Sequence, residues 1–389
     1  MRYTLCALFF HIILIFLWCS TGFCAEGVEW GRLRLAPKLS VGEQYSDNVF
    51  LTEKNEEDEY ITTILPELSL DFAFSPRSIL NVGYKADFRI YTEFDNFRKD
   101  HHRGGLSWTW TSPKGSEFAI GADAEDSSMQ PYSEKDRHKD FVKGEAFVDS
   151  LLKVGAFTGL GIRYAHTSRR FDSRLDKIDE YDRDAITLDI LYRRFRHLPL
   201  LLEYSYYHQD NNDLDEPSTD MDTHTVFIGA RWDPTAKLSG TLKVGYTQTD
   251  FEEVDDFSGF ATDTDLTYRF SDITTFKLRA YRMLVRSTWA GRETGNYFIS
   301  SGGGLSATYR SAPIAIVLDF SYTNNDFEQK DWWYEEREDN YFRAGVMAEH
   351  LLQDWLLLSL SYHYSRNDSN FASVDYRENR VEARCSLFI

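Results

Sequence analysis

Strict period-two alternation, sustained over long stretches, constrains this chain most. From Leu80, residues Leu80, Val82, Tyr84, Ala86, Phe88 and Ile90 share one face of an extended strand, while Asn81, Gly83, Lys85, Asp87, Arg89 and Tyr91 share the other. The division returns in Ile186, Leu188, Ile190 and Tyr192 against Thr187, Asp189 and Arg193, and in Val226, Ile228, Ala230 and Trp232 against Thr225, Gly229 and Arg231. It closes the chain in Val381, Ala383, Cys385, Leu387 and Ile389 against Arg380, Glu382 and Arg384. These are amphipathic strands, not helices.

Two kinds of connection alternate between them. Short ones, such as Ser75–Ser78, Ser112–Gly115 and Ser311–Pro313, are built of turn-forming residues. Long ones, such as Glu53–Glu59, Arg169–Asp184, Asp210–Asp220 and Asn325–Asp339, are polar and acidic. The unit is a hairpin plus a long loop, repeated about every 40 residues, and the count comes to about 18 strands, with 16–18 as the range.

A face of charges can be wet as the outside of a sandwich or as the lumen of a barrel whose apolar face meets lipid. Strand length decides between them. Strands of about 10 to 14 residues suffice to cross a bilayer at a tilt, whereas strands of soluble domains average about 5 to 6. Tyrosines near strand ends (Tyr204, Tyr206, Tyr207, Tyr362, Tyr364) stand where interfacial girdles are expected. A propeller shares the repeat length but needs four short strands per repeat. The expectation is an all-β fold: a transmembrane antiparallel up-and-down β-barrel with short periplasmic turns and long acidic outer loops.

The N-terminus fits that destination. Arg2, the apolar run Leu5–Trp18 and the polar exit before Ala25 read as a secretory signal peptide, so the domains expected are a signal over 1–25 and one barrel over 26–389. Cys6, Cys19 and Cys24 fall inside the signal, which leaves Cys385 with no internal disulfide partner. A formal charge of −19 argues against nucleic acid as a partner. No G-x-S-x-G or H-E-x-x-H is present; His166 beside Thr167 and Ser168 is the one hydrolase-like grouping, and no enzyme and no cofactor are expected.

Leu39–Glu53, with Tyr45, Asp47, Asn48, Val49 and Phe50, followed by Tyr60–Phe74 with Pro66, resembles the opening of an outer-membrane β-barrel porin family often associated with exopolysaccharide and exosortase-type systems. The resemblance implies an outer-membrane barrel of a Gram-negative bacterium, porin-like in character, for small hydrophilic or saccharide solutes. It also implies outer-membrane lipid, lipopolysaccharide and the barrel assembly machinery as partners, with a link to polysaccharide-export components. The alternative is a non-conducting structural or adhesive barrel that scaffolds a cell-envelope complex.

The pore-lining candidates are the inward-phase residues Lys85, Arg89, Arg163, Arg193, Arg231, Lys243, Arg279, Arg343 and Arg384, with Asp87, Asp189, Glu203 and Asp319. Their basic surplus points to anionic solutes. Trp332, Trp333 and Tyr334, set in an acidic loop, are candidates for stacking on a sugar. The glycines Gly302, Gly303 and Gly304 read as packing space ahead of a strand.

Overall fold

The computed structural model describes residues 27–389 except 95–98, 130–138, 196–197, 213–217, 219, 233–236, 254, 287–296, 328–336, 372–373 and 389. The expected signal over 1–25 and the aromatic group Trp332, Trp333 and Tyr334 lie outside the described residues. The strands in chain order are β1 (Val28–Trp30), β2 (Leu33–Ser46), β3 (Glu59–Ser75), β4 (Ser78–Tyr91), β5 (Lys99–Thr111), β6 (Glu117–Met129), β7 (Lys139–Val154), β8 (Thr158–Phe171), β9 (Tyr181–Tyr192) and β10 (Leu200–Asn211). They continue with β11 (Met221–Trp232), β12 (Leu238–Phe251), β13 (Phe257–Arg269), β14 (Thr274–Arg286), β15 (Tyr297–Ser311), β16 (Ile314–Phe327), β17 (Glu338–Gln353), β18 (Leu356–Ser369) and β19 (Tyr376–Phe388).

Each strand from β2 to β19 pairs antiparallel with the next, and β19 pairs back onto β2 from Arg380↔Ser46 to Phe388↔Lys38. The result is the closed barrel of 18 strands that the alternation predicts. The short strand β1 is an addition, pairing with Leu33–Leu35 of β2 beyond the point where β19 ends. Closure gives backbone groups at membrane depth a ladder partner on both sides, which lipid demands because it offers no hydrogen bonds of its own.

Orientation follows from exposure. On β16, Ile316, Leu318, Phe320 and Tyr322 are 39%, 52%, 45% and 44% exposed, and their register partners Ala348, Val346, Ala344 and Phe342 form the next rows of the same outward face. Apolar side chains this exposed on every strand would ruin a soluble protein; they suit a wall solvated by acyl chains. Toward the long-loop rim the outward face turns polar through tyrosines. Tyr84 bonds His102 Nδ1 at 2.8 Å, Tyr164 donates to Asp184 at 2.6 Å, Tyr206 to Asp222 at 2.6 Å and Tyr362 to Asn379 at 2.8 Å. Ring in the apolar layer and hydroxyl in the polar one is the arrangement of an interfacial girdle. Tyr207 differs from the girdle expectation: it carries the inward phase, with the Arg183 guanidinium 4.8 Å from its ring.

Several expectations about the connections change, and the long loops Asp210–Asp220 and Asn325–Asp339 are shorter than expected, since β10 runs to Asn211, β16 to Phe327 and β17 starts at Glu338. Arg169–Asp184 is not all loop, because β8 runs to Phe171 and β9 starts at Tyr181; outside the bilayer nothing obliges a ladder to stop. Between them Lys139, 7% exposed, ties the turn Arg174–Asp179 to β7 through Asp176 at 3.2 Å and Asp179 at 2.6 Å. Glu59 is no solvated acid: it is 1% exposed and accepts the backbone N–H groups of Tyr60, Thr92, Glu93 and Phe94. The run Gly302–Gly304 lies inside β15 rather than ahead of a strand.

Phase can be tested directly. Val82, 39% exposed on the outward face, should cost about 2 to 4 kcal/mol when replaced by Arg. Gly83→Arg, one residue along, should cost under about 1 kcal/mol, because a Cβ there meets nothing within 4 Å. Urea unfolding of the barrel in lipid vesicles measures both; equal losses would count against the assigned faces.

Candidate functional site

Every strand contributes alternate residues to the lumen, so charges spaced far apart in sequence meet as rows around the inner wall. One row crosses β9 to β13. Asp189, Glu203, Arg231, Lys243 and Asp263 each come from a different strand. Arg231 Nη1 lies 2.8 Å from Asp189 and its Nη2 3.5 Å from Glu203. Lys243 Nζ lies 3.0 Å from Glu203 and 2.8 Å from Asp263. Lys243 reaches β10 from β12 by passing over β11, where Gly229, its register partner, presents no side chain. A Cβ at Gly229 would sit 1.9 Å from the Leu242 carbonyl, so the strands approach too closely there for another residue. The side chains of Lys243 and Glu203 are 10% and 8% exposed. This wall is locked by its own ion pairs and leaves little for a solute to bind.

The facing row crosses β2 to β6 and differs in exposure. Lys38, Glu67, Lys85, Arg103 and Asp123 again come one from each strand, with Lys38 and Lys85 at 3.3 and 3.6 Å from Glu67 and Arg103 at 3.5 Å from Asp123. The side chains of Lys85 and Arg103 are 53% and 66% exposed, so both retain most of their hydrogen-bonding capacity. Beside them Gly83 and Gly105 pair across β4 and β5. The bare backbone there floors a recess of about 740 Å³. That volume is in the range of small-molecule sites.

All thirteen pore-lining candidates carry the inward phase, opposite to the exposed apolar residues. Asp189, Glu203, Arg231 and Lys243 form the locked wall, and Lys85 belongs to the recess. Arg89 pairs with Asp87 on its own strand at 2.9 Å, and Arg163 pairs with Glu145 at 2.9 Å and Asp149 at 3.7 Å. Arg384 pairs with Glu382. Arg193 stands just past β9, Arg279 lies 5.5 Å from the Tyr281 ring, and Arg343 and Asp319 occupy the inner face of β17 and β16. The expected basic field is therefore compensated over much of the lumen by carboxylates. Lys38, Glu67, Arg103, Glu145 and Asp263 were missed, although the parity that found the others applies to them unchanged.

The hydrolase-like grouping separates. His166 and Ser168 share the outward face, where His166 Nδ1 lies 2.9 Å from Asp184, while Thr167 is 8% exposed on the inner face within 3.4 Å of Glu145.

Residues 177–387 match the family described as "Putative beta-barrel porin 2". The chain matches no curated protein. Among solved structures it resembles the outer membrane protein OpdK of Pseudomonas aeruginosa, at 10% identity and a TM-score of 0.52, over 95% of this chain and 100% of that one. It also resembles Pseudomonas aeruginosa OccK2 (OpdF) in complex with glucuronate, at 10% identity and a TM-score of 0.50, over the same shares. Identity this low establishes the shared barrel and nothing finer.

Proposed function

Because this chain belongs to the β-barrel porin family just described, we propose that it is a channel passing small hydrophilic solutes, saccharides among them, through its lumen. The supporting observation is the recess on β2 to β6. Its half-exposed Lys85 and Arg103 donate, its Glu67 and Asp123 accept, and Gly83 and Gly105 leave room for a solute between them. Hydroxyl-rich molecules exchange water for such mixed groups at little cost, and a sugar acid gains an ion pair with Lys85 or Arg103 as well. Lipid and lipopolysaccharide contact the outward face and its tyrosine girdle, and the barrel assembly machinery inserts the chain. A role beside polysaccharide-export components would use the same recess for a saccharide. One feature favours the scaffold reading: Tyr297, Phe298, Ile299 and Ser300, at the outer end of β15, are all buried.

Conductance of the refolded protein in a planar bilayer tests the proposal. Steady steps are expected, with glucuronate as a probe reducing them. Lys85→Glu with Arg103→Glu should weaken that block about tenfold or more and shift the reversal potential in a salt gradient toward cations. Silence from folded, inserted protein would overturn the channel reading.

A further inference from the structure

A barrel wall is one layer thick, so along any strand one neighbour faces out and the next faces in. Buried residues in unbroken succession therefore need cover on both faces. Tyr297, Phe298, Ile299 and Ser300, at the outer end of β15, are 5%, 5%, 1% and 7% exposed. That end is not in the wall.

Its contacts say where it lies. On β15 the exposed Leu305 and Tyr309 mark odd-numbered residues as outward, a phase that Tyr297 and Ile299 share. Yet Tyr297 and Ile299 cluster with Met221, Phe251 and Phe257, which carry the inward phase of β11, β12 and β13. The Tyr297 ring stacks on Phe251 with centroids 5.4 Å apart and planes 10° from parallel. An outward face resting on inward faces means that the end of β15 has passed inside the barrel. Its other face is covered by Phe327, whose ring lies 4.8 Å from Phe298.

The ladder agrees. β13 and β14 pair from Arg269↔Thr275 to Thr262↔Arg282 and stop there. Beyond that rung β13 continues to Phe257 on β12, and β14 continues to Arg286 on β15. Two strand edges thus separate at the outer rim. Continued register would set Phe260 opposite Leu284, but Phe260 is 54% exposed on the outside while Leu284 packs on the inner cluster. The glycines Gly302, Gly303 and Gly304 sit opposite Tyr281, Ala280 and Arg279, beside the last shared rungs. A Cβ at Gly302 would meet Tyr281 Oη at 2.7 Å and Thr323 Oγ1 at 2.8 Å, so the bend is made where side chains are excluded.

We infer that the outer ends of β14 and β15 form a two-position gate: tucked, as observed, they narrow the mouth; zipped onto Phe257–Ala261 of β13, they rejoin the wall and open it. The tucked position is held by apolar burial and the zipped one by the missing ladder hydrogen bonds, so each offsets what the other gives up. The gate rests on the channel reading.

Two cysteine pairs on a Cys385→Ser background test it in the full chain. Directly opposed antiparallel positions come within disulfide reach, and a stacked ring pair is bridged by a short, reducible bifunctional thiol reagent. Phe251→Cys with Tyr297→Cys should cross-link in the tucked position and lower conductance about fivefold, with recovery on reduction. Phe260→Cys with Leu284→Cys should cross-link only in the zipped position and raise mean conductance about twofold, abolishing closures. Failure of the second bond in protein where the first forms completely would overturn the gate, as would unchanged conductance with either bond in place. If the parent protein itself is silent, the channel reading falls, while cross-link yield still decides whether the strand ends move.

Discussion

Replacing Lys243 by Met is expected to destabilise the barrel by about 3 to 5 kcal/mol, read from urea unfolding in lipid vesicles. The ammonium sits between Glu203 and Asp263 at 3.0 and 2.8 Å, and Glu203 is 8% exposed. In the parent, two cations, Arg231 and Lys243, face three carboxylates, Asp189, Glu203 and Asp263. Without Lys243, one cation faces three, and the buried Glu203 retains only Arg231 at 3.5 Å. Removing one partner of a buried pair leaves the other desolvated and uncompensated, which costs far more than the pair contributes as a whole. Lys243→Met combined with Glu203→Leu should therefore recover most of the loss. A single-variant cost under about 1 kcal/mol would show that this wall is freely hydrated, as exposed pairs are.

How much of this was legible in the sequence follows from how local each feature is. Side-chain direction along a strand depends only on parity, so the sequence alone sets Val82 and Lys85 on opposite faces. Partner choice is not local. Lys243 meets Glu203, 40 residues away, only because tilt and register bring β12 over Gly229 toward β10. The compensation of the lumen's cations was invisible for the same reason. The gate is hidden more deeply: Tyr297, Phe298 and Ile299 are apolar in succession and so interrupt the alternation, but that run does not say that the strand leaves the wall. Parity reports which face a residue shares, not what that face touches. Three residues, Val28–Trp30, are too few for β1 to show a period at all.

The segment that carries the resemblance has a mechanical role at the rim, and Asn48→Ala should cost about 3 to 5 kcal/mol with slower, less complete refolding. Asn48 is wholly buried. Its Nδ2 donates to the carbonyls of Thr52 at 2.7 Å and Arg377 at 2.9 Å, and its Oδ1 accepts the Thr52 N–H at 3.0 Å. Beside it, Asp47 accepts the Asn379 N–H and its Nδ2, both at 2.7 Å, and Ser46 donates to Glu378 at 2.8 Å. Residues 46 to 48 thus clasp the first barrel strand to the last, above the point where the β19–β2 ladder ends. That seam is the one contact in the ring that no hairpin provides: its partners are 329 residues apart at Asn48 and Arg377, and it must close after the remaining strands are placed. Alanine orphans two carbonyls and one N–H at the seam, each worth about 1 to 3 kcal/mol when buried, less what water at the rim restores. Asn48→Asp keeps the acceptor but sets a buried carboxylate oxygen against the carbonyls of Thr52 and Arg377, so it should cost at least as much as alanine. The shift from unfolded to folded mobility in unboiled detergent gels reports closure directly. An Asn48→Ala barrel that closes as fast and unfolds at the same urea concentration as the parent would reduce the motif to a surface loop and leave the ladder alone to hold the ring shut.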